Sequence, residues 1–159
     1  MNSLQSLREL IERLPARLQA LESDKVEHKP APESWSAKEE LGHLLDSAAN
    51  NYQRIVRAQL EEHPAMPSYD GEGWVGLQRY QEREWPALIS LWVALNEQLL
   101  AAMEVAPESA RSRTLTIGDS APLTLQFVFD DYVDHMLHHL QHMGVEVEDL
   151  APAKAAGRY

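Results

Sequence analysis

Apolar residues recur at intervals of three and four along most of the chain, the spacing of a helix face rather than the alternation of a strand. Leu4, Leu7, Leu10, Ile11, Leu14, Leu18 and Leu21 predict a first helix over about residues 3–22, kinked where Pro15 removes a backbone donor. Residues 23–35 read as a loop that leads through Pro30, Pro32 and Trp35 into Ser36-Ala37-Lys38-Glu39. There Ser36 can accept from the third backbone amide while Glu39 reaches back to the Ser36 amide, a capping box that starts a second helix at Ser36. That helix is expected to run to about Glu62, where His63-Pro64 ends it, and Pro67 through Gly73 form a turn-rich connection. A third helix over about residues 75–103 carries Trp85, Leu88, Leu91, Trp92, Leu95 and Leu99, bent near its start by Pro86. Arg113 to Ile117 alternates polar and apolar before Gly118-Asp119, which suggests a short extended stretch or small hairpin. Pro122 and Leu123-Thr124 precede a fourth helix to about Met143, where Gly144 favours a left-handed cap. Four long helices without a repeat or low-complexity tract predict an all-α, four-helix bundle, one domain over residues 1–150 with a C-terminal tail over 151–159.

Composition narrows what such a bundle can do. A chain of 159 residues, 44% hydrophobic, can bury one sizeable core and needs no second domain. Its net charge of −11 opposes sequence-independent binding to nucleic acid or to anionic membrane surfaces, which require clustered Lys and Arg. Without cysteine, disulfides, thiolate metal ligands and a protein-borne sulfur nucleophile are excluded. Met1 to Glu9 has no basic stretch followed by an apolar one and does not read as a signal peptide. The most apolar stretch, Pro86 to Leu95, ends in Asn96-Glu97-Gln98 and reads as too short to span a bilayer. A cytoplasmic protein is the expectation.

Four of the seven histidines, His135, His138, His139 and His142, fall in one eight-residue window of the fourth helix. At about 100° per residue, Leu125, Val128, Phe129, Tyr132, Met136 and Met143 gather on one side of that helix. His139 falls just inside this face and His135 at its edge, whereas His138 and His142 turn towards solvent. A separation of four places His135 and His139 one turn apart, a chelating geometry for a divalent metal. Two imidazoles hold an ion loosely, and catalytic zinc sites use three protein ligands with one position free, so a third donor is needed. His43 is the candidate, yet on its own helix it stands opposite Leu41, Leu44, Ala48, Tyr52 and Ile55, on a stripe with Glu40, Ser47, Asn50 and Arg54. Such a stripe is either a solvated face or one wall of a cleft between the second and fourth helices.

The segment Trp35-Ser36-Ala37-Lys38-Glu39-Glu40-Leu41-Gly42-His43-Leu44-Leu45-Asp46 resembles the second-helix motif of the DinB/YfiT-like family. Pro122-Leu123-Thr124-Leu125, followed by Asp134-His135-Met136-Leu137-His138-His139-Leu140-Gln141-His142, resembles its last-helix motif in the YfiT-like form. The resemblance covers most of the chain, from the first helix to about Met143. It implies a four-helix bundle with a three-histidine metal site, and the matching positions are His43, His135 and His139. Imidazole ligands suit zinc or nickel first, with iron, manganese or copper also compatible. Some members of the family are thiol S-transferases that use a metal to activate a low-molecular-weight thiol such as bacillithiol, mycothiol or glutathione. Others are described as metal-dependent hydrolases, and many pair as homodimers, for which the tryptophans of the third helix offer a surface.

Either activity rests on the same physics, since a three-ligand metal keeps a position at which water or a thiol is acidified into a nucleophile near neutral pH. A chain without cysteine would take its thiol from solution and transfer it to an electrophilic small molecule. Asp131, one turn before His135, is expected to accept from that histidine's other nitrogen. Ser47 and Asn51 are expected to line the substrate space, and His138 and His142 to stand beside the ligands rather than among them. Glu40, Asp46 and Asp134 lie near the motifs, and none is assigned as general base, so no catalytic residue is named beyond the metal site. The readings are therefore a metal-dependent thiol S-transferase, with a hydrolase as the alternative, or a non-catalytic metal-binding stress or interaction protein. They differ in the free coordination position, which a structural site would close with a fourth protein ligand such as His142. Trp74, Trp85, Trp92, Met103 and Phe127 read as core or interface, Trp35 as a packing anchor at the entry to the second helix, and the excess carboxylates as a solvated surface.

Overall fold

The computed structural model describes residues 2–147 and 149–150, so the expected tail over 151–159 lies outside the described residues. Four long helices, α1 (Ser3–Gln19), α3 (Ala37–Leu60), α5 (Trp85–Glu104) and α7 (Leu125–His142), form the four-helix bundle. Short helices α2 (Ser23–Glu27), α4 (Gly71–Gln78) and α6 (Glu108–Arg111) fill the connections. Around the bundle, α1 packs on α5, α5 on α3, α3 on α7 and α7 on α1, which closes a ring about one core.

Local sequence accounts for most of the boundaries. Asn2 caps α1 by accepting from the Gln5 amide at 2.9 Å, and Leu7, Leu10, Leu14 and Leu18 bury one face of that helix completely. The capping box of α3 is present in both directions: the Glu39 amide donates to Ser36 Oγ at 3.2 Å and the Ser36 amide donates to Glu39 Oε2 at 3.0 Å. Thr124 caps α7 through the Phe127 amide at 3.1 Å, and Gly144 adopts the left-handed conformation just past its end. The expected hairpin is present as β2 (Thr114–Ile117) antiparallel to β3 (Leu123–Thr124), and β1 (Ala65–Met66) adds a parallel strand on the other side of β2. This small sheet ties the exit of α3 to the start of α7, the two helices that carry the histidines.

Three boundaries differ from expectation. The first helix ends at Gln19 rather than near residue 22, and the loop over 23–35 contains α2. The single helix expected over 75–103 is broken into α4, a 3₁₀ turn at Tyr80–Glu82 and α5. The break lies at Arg79, whose φ of 54° is left-handed, and Pro86 sits in the first turn of α5, where its missing N–H is harmless. What the break achieves is tertiary: Tyr80 turns inward, packs on Gly42 and donates from its hydroxyl to Asp46 Oδ1 at 2.6 Å. The separate α5, at 20 residues, is long and apolar enough to cross a membrane, unlike the shorter apolar stretch within it. Here Leu88, Ile89, Trp92, Leu99 and Met103 are buried in the bundle, and fully buried Asn96 accepts from the Tyr132 hydroxyl at 2.6 Å.

Of the tryptophans expected in the core or at an interface, Trp92 is fully buried, and Trp85 is partly buried with its Nε1 donating to the Leu18 carbonyl at 2.9 Å. Trp74 lies at the surface of α4 against Tyr69, with ring centroids 5.3 Å apart.

Gly42 provides a direct test of how closely the 3₁₀ turn is pressed onto α3. A Cβ there would lie 2.1 Å from Tyr80 Cδ2, so Gly42→Ala must displace the ring and is expected to destabilise the fold by about 1–3 kcal/mol despite alanine's better helix propensity. Gly76→Ala, with no atom within 4 Å of the added carbon, is expected to be neutral or stabilising. Urea denaturation of the two variants checks both signs.

Candidate metal centre

The polar stripe of α3 is buried rather than solvated. Of its residues, Glu40, His43, Ser47 and Arg54 are each at most 8% exposed, as is the neighbouring Asn51, while Asn50 is half-buried. The stripe is covered by α7, by the segment leading into α4 and by Trp35, which places it between α3 and α7 rather than in solvent. His43 thereby meets His135 and His139: the Nε2 atoms of His43 and His135 are 3.1 Å apart, and those of His135 and His139 are 3.0 Å apart. Nitrogens around a tetrahedral zinc with bonds of 2.0–2.1 Å are separated by roughly 3.3 Å, so the three side chains are spaced as a ligand set is.

Two of the three remaining ring nitrogens have partners that turn the Nε2 lone pairs inward. His139 Nδ1 lies 2.6 Å from Glu40 Oε2, so the carboxylate accepts the Nδ1 proton and leaves Nε2 free to ligate. His135 Nδ1 faces Ser47 Oγ at 3.4 Å, and Asn51 Nδ2 donates to the same hydroxyl at 3.2 Å. His43 Nδ1 is buried without a protein partner, in front of Gly71, where a Cβ would come within 3.3 Å of it. Asp131 is half-buried on α7 and acts electrostatically on Arg54. Arg54 also donates to Asn51 Oδ1 and to the Pro67 carbonyl, both at 3.3 Å. Of the outer pair, His142 lies with Nδ1 3.6 Å from Glu40 Oε1, and His138 stacks edge-on against it with centroids 4.2 Å apart.

Sequence reasoning left the roles of Glu40 and Trp35 open or bland. Trp35 lies against the site itself, its ring 4.9 Å from that of His43 and 6.1 Å from that of His139. Tyr69, which carried no signal in the sequence, also stands near His43, with ring centroids 6.3 Å apart. Asp46 was a nearby carboxylate without a role; it is buried and accepts from Tyr80 and Gln78, which anchors α4 and the 3₁₀ turn beside His43.

Burial dominates the electrostatics. It pushes the His43 imidazole down to about 4, with His139 adding repulsion, and it pushes His135 down to about 3, with His139, His43 and His138 adding theirs. Both rings are therefore neutral at physiological pH, the protonation state that ligates metal. Burial raises Asp46 to about 6, against hydrogen bonds from Tyr80 and Gln78 that lower it. Three convergent imidazole donors, with a buried His43 Nδ1 that has no protein partner, fit a divalent cation, and among the described residues no fourth His, Asp or Glu joins the triad.

The DinB superfamily profile matches residues 6–143, and the chain belongs to that superfamily. It is 28% identical over 136 residues to a protein of Halalkalibacterium halodurans, covering 82% of this chain and 78% of that one. It is 27% identical over 140 residues to YfiT of Bacillus subtilis, covering 85% and 79%. Both relatives bear the name "Putative metal-dependent hydrolase". The solved structure of YfiT, described as having an unusual four-helix bundle topology, superposes with a TM-score of 0.72 at 20% identity over 91% of this chain and 87% of that one. A mycothiol-dependent maleylpyruvate isomerase superposes with a TM-score of 0.73 at 14% identity, over 90% of this chain and 60% of the isomerase. At these identities the superpositions establish the fold. Family membership and the histidine cluster together support a divalent metal cofactor.

The lowered histidines set a pH dependence for the metal-free protein. Below about 6.5 the unfolded chain takes up protons on these two rings that the native state refuses until about pH 4 and pH 3, so stability falls as pH drops through that window. Asp46 acts oppositely between about 6 and 3.8, where the native state is the better proton binder. Two groups outweigh one, and each proton is worth about 1.4 kcal/mol per pH unit. The melting temperature of metal-free protein is expected to fall from pH 6.5 to 4.5, and more steeply in Asp46→Asn; a flat profile in both would contradict the burial of neutral imidazoles.

Proposed function

We propose that the protein is a metal-dependent enzyme that activates a low-molecular-weight thiol for transfer to an electrophilic small molecule. The single observation that carries this reading is the triad of His43, His135 and His139, which offers three donors with no fourth from the described residues, as an open rather than a closed site requires. A divalent ion held there with a free position acidifies a thiol or water and so supplies a nucleophile near neutral pH. Zinc or nickel suits the all-imidazole donor set best.

The chain's own groups do the rest. His43, His135 and His139 hold the ion, Glu40 fixes the tautomer and orientation of His139, and Ser47, steadied by Asn51, does the same for His135. Trp35 and Tyr69 flank the histidines and exclude water from one side of the cleft. The absence of cysteine means that the sulfur must come from solution, and the related fold of a mycothiol-dependent isomerase supports a thiol as the co-substrate. Hydrolysis is the second reading, favoured by the names of the two relatives. It would require a carboxylate to accept a proton; of the three near the motifs, Glu40 is engaged with His139 and Asp46 with Tyr80 and Gln78, and Asp134 is the half-buried third. A cytoplasmic homodimer with small-molecule partners is part of the proposal.

Metal-loaded protein is expected to conjugate bacillithiol, mycothiol or glutathione to monochlorobimane, with the rate abolished by a chelator and restored by the ion. Ester or amide hydrolysis without conjugation of any of the three thiols would replace the transferase reading with the hydrolase one. Glu40→Gln is expected to weaken zinc affinity roughly 10- to 100-fold while the fold persists, as measured by competition with a chromophoric chelator.

A further inference from the structure

The outer imidazoles of α7 have no part in the triad, yet they are not simply solvated. Glu40 is a buried carboxylate with one oxygen on each of two imidazoles: Oε2 is 2.6 Å from His139 Nδ1, and Oε1 is 3.6 Å from His142 Nδ1. Ligand atoms of Glu40, His139 and His142 all lie within 4.8 Å of one another. His139 thus has its Nε2 in one donor group and its Nδ1 in another, on opposite edges of the ring.

We propose a second divalent-cation position, formed by Glu40, His142 and Nδ1 of His139, on the solvent side of the triad. One carboxylate and two imidazoles, supplied by two different helices, form a donor set for zinc or a similar borderline ion. This position rests on the triad reading only in that His139 is shared. The ion takes the place of the Nδ1 proton, which leaves to solvent, and the ring then bridges the two positions. With the His142 side chain 51% exposed, the outer position exchanges ions readily and fills after the inner one. Filling it turns Glu40 from the acceptor that orients His139 into a ligand, so excess metal acts on the inner site through a side chain common to both. His138 stands outside the group, which separates this position from a plain surface chelate of His138 and His142.

The test is calorimetric titration of full-length, metal-free protein with zinc alone, using wild type, His142→Ala, His138→Ala and His135→Gln, each checked for native helicity by circular dichroism. Expected are two equivalents in wild type, loss of the weaker one in His142→Ala, retention of both in His138→Ala, and loss of the tighter one in His135→Gln. A single wild-type equivalent that survives in His142→Ala but not in His135→Gln overturns the outer position and leaves the triad standing. An equivalent that survives in His135→Gln but not in His142→Ala sustains the outer position and removes the triad reading. Equal loss of the weaker equivalent in His138→Ala and His142→Ala overturns the proposal in favour of the surface chelate, and no binding by wild type overturns both sites.

Discussion

Three imidazole edges brought close to one another, away from water, set the constraint around which the rest of this bundle is arranged. Nitrogen lone pairs that converge in this way repel unless a cation lies among them, and each ring needs its other nitrogen satisfied to keep the pairs pointed inward. The polar face of α3 supplies much of that second requirement. Glu40 holds His139, and Ser47 with Asn51 holds His135. These groups can be polar and buried at once because each has a partner, which is what a low-dielectric interior demands.

Because α3 carries apolar residues on one side and functional polar residues on the other, it must be covered on both. Leu41, Leu44, Ala48 and Ile55 complete the core with α1, α5 and α7. The opposite side requires a lid, and the connection between α3 and α5 provides it. Tyr80 fits against Gly42, Asp46 binds Tyr80 and Gln78, and Gly71 lies directly over His43. The small sheet joins the end of α3 to the start of α7, so the same non-helical segments that cover the site also hold its two helices together.

The histidine-rich end of α7 shows how one helix can serve two environments. His135 and His139 face the protein interior, where burial keeps His135 neutral, while His138 and His142 lie one step around the helix nearer solvent. Glu40 stands between the two sets and is the point through which they communicate. Its neighbours explain why a buried carboxylate is tolerated there: it acts on imidazoles, the groups whose tautomer and charge it is best able to fix.

The sequence by itself determined the helical pattern, the capping box at Ser36 and Glu39, the cap at Gly144, the hairpin before α7 and the orientation of His135 and His139, because each depends on residues a few positions apart. It also placed His43 on a polar stripe without saying whether that stripe met water or protein. Only the tertiary structure decided that the stripe is buried, that the third helix breaks at Arg79, that Trp35 and Tyr69 flank the site and that Glu40 binds His139. Most of these depend on contacts between residues far apart in the chain, such as His43 with Tyr69, Asp46 with Tyr80 and Glu40 with His139, and no local period encodes such contacts.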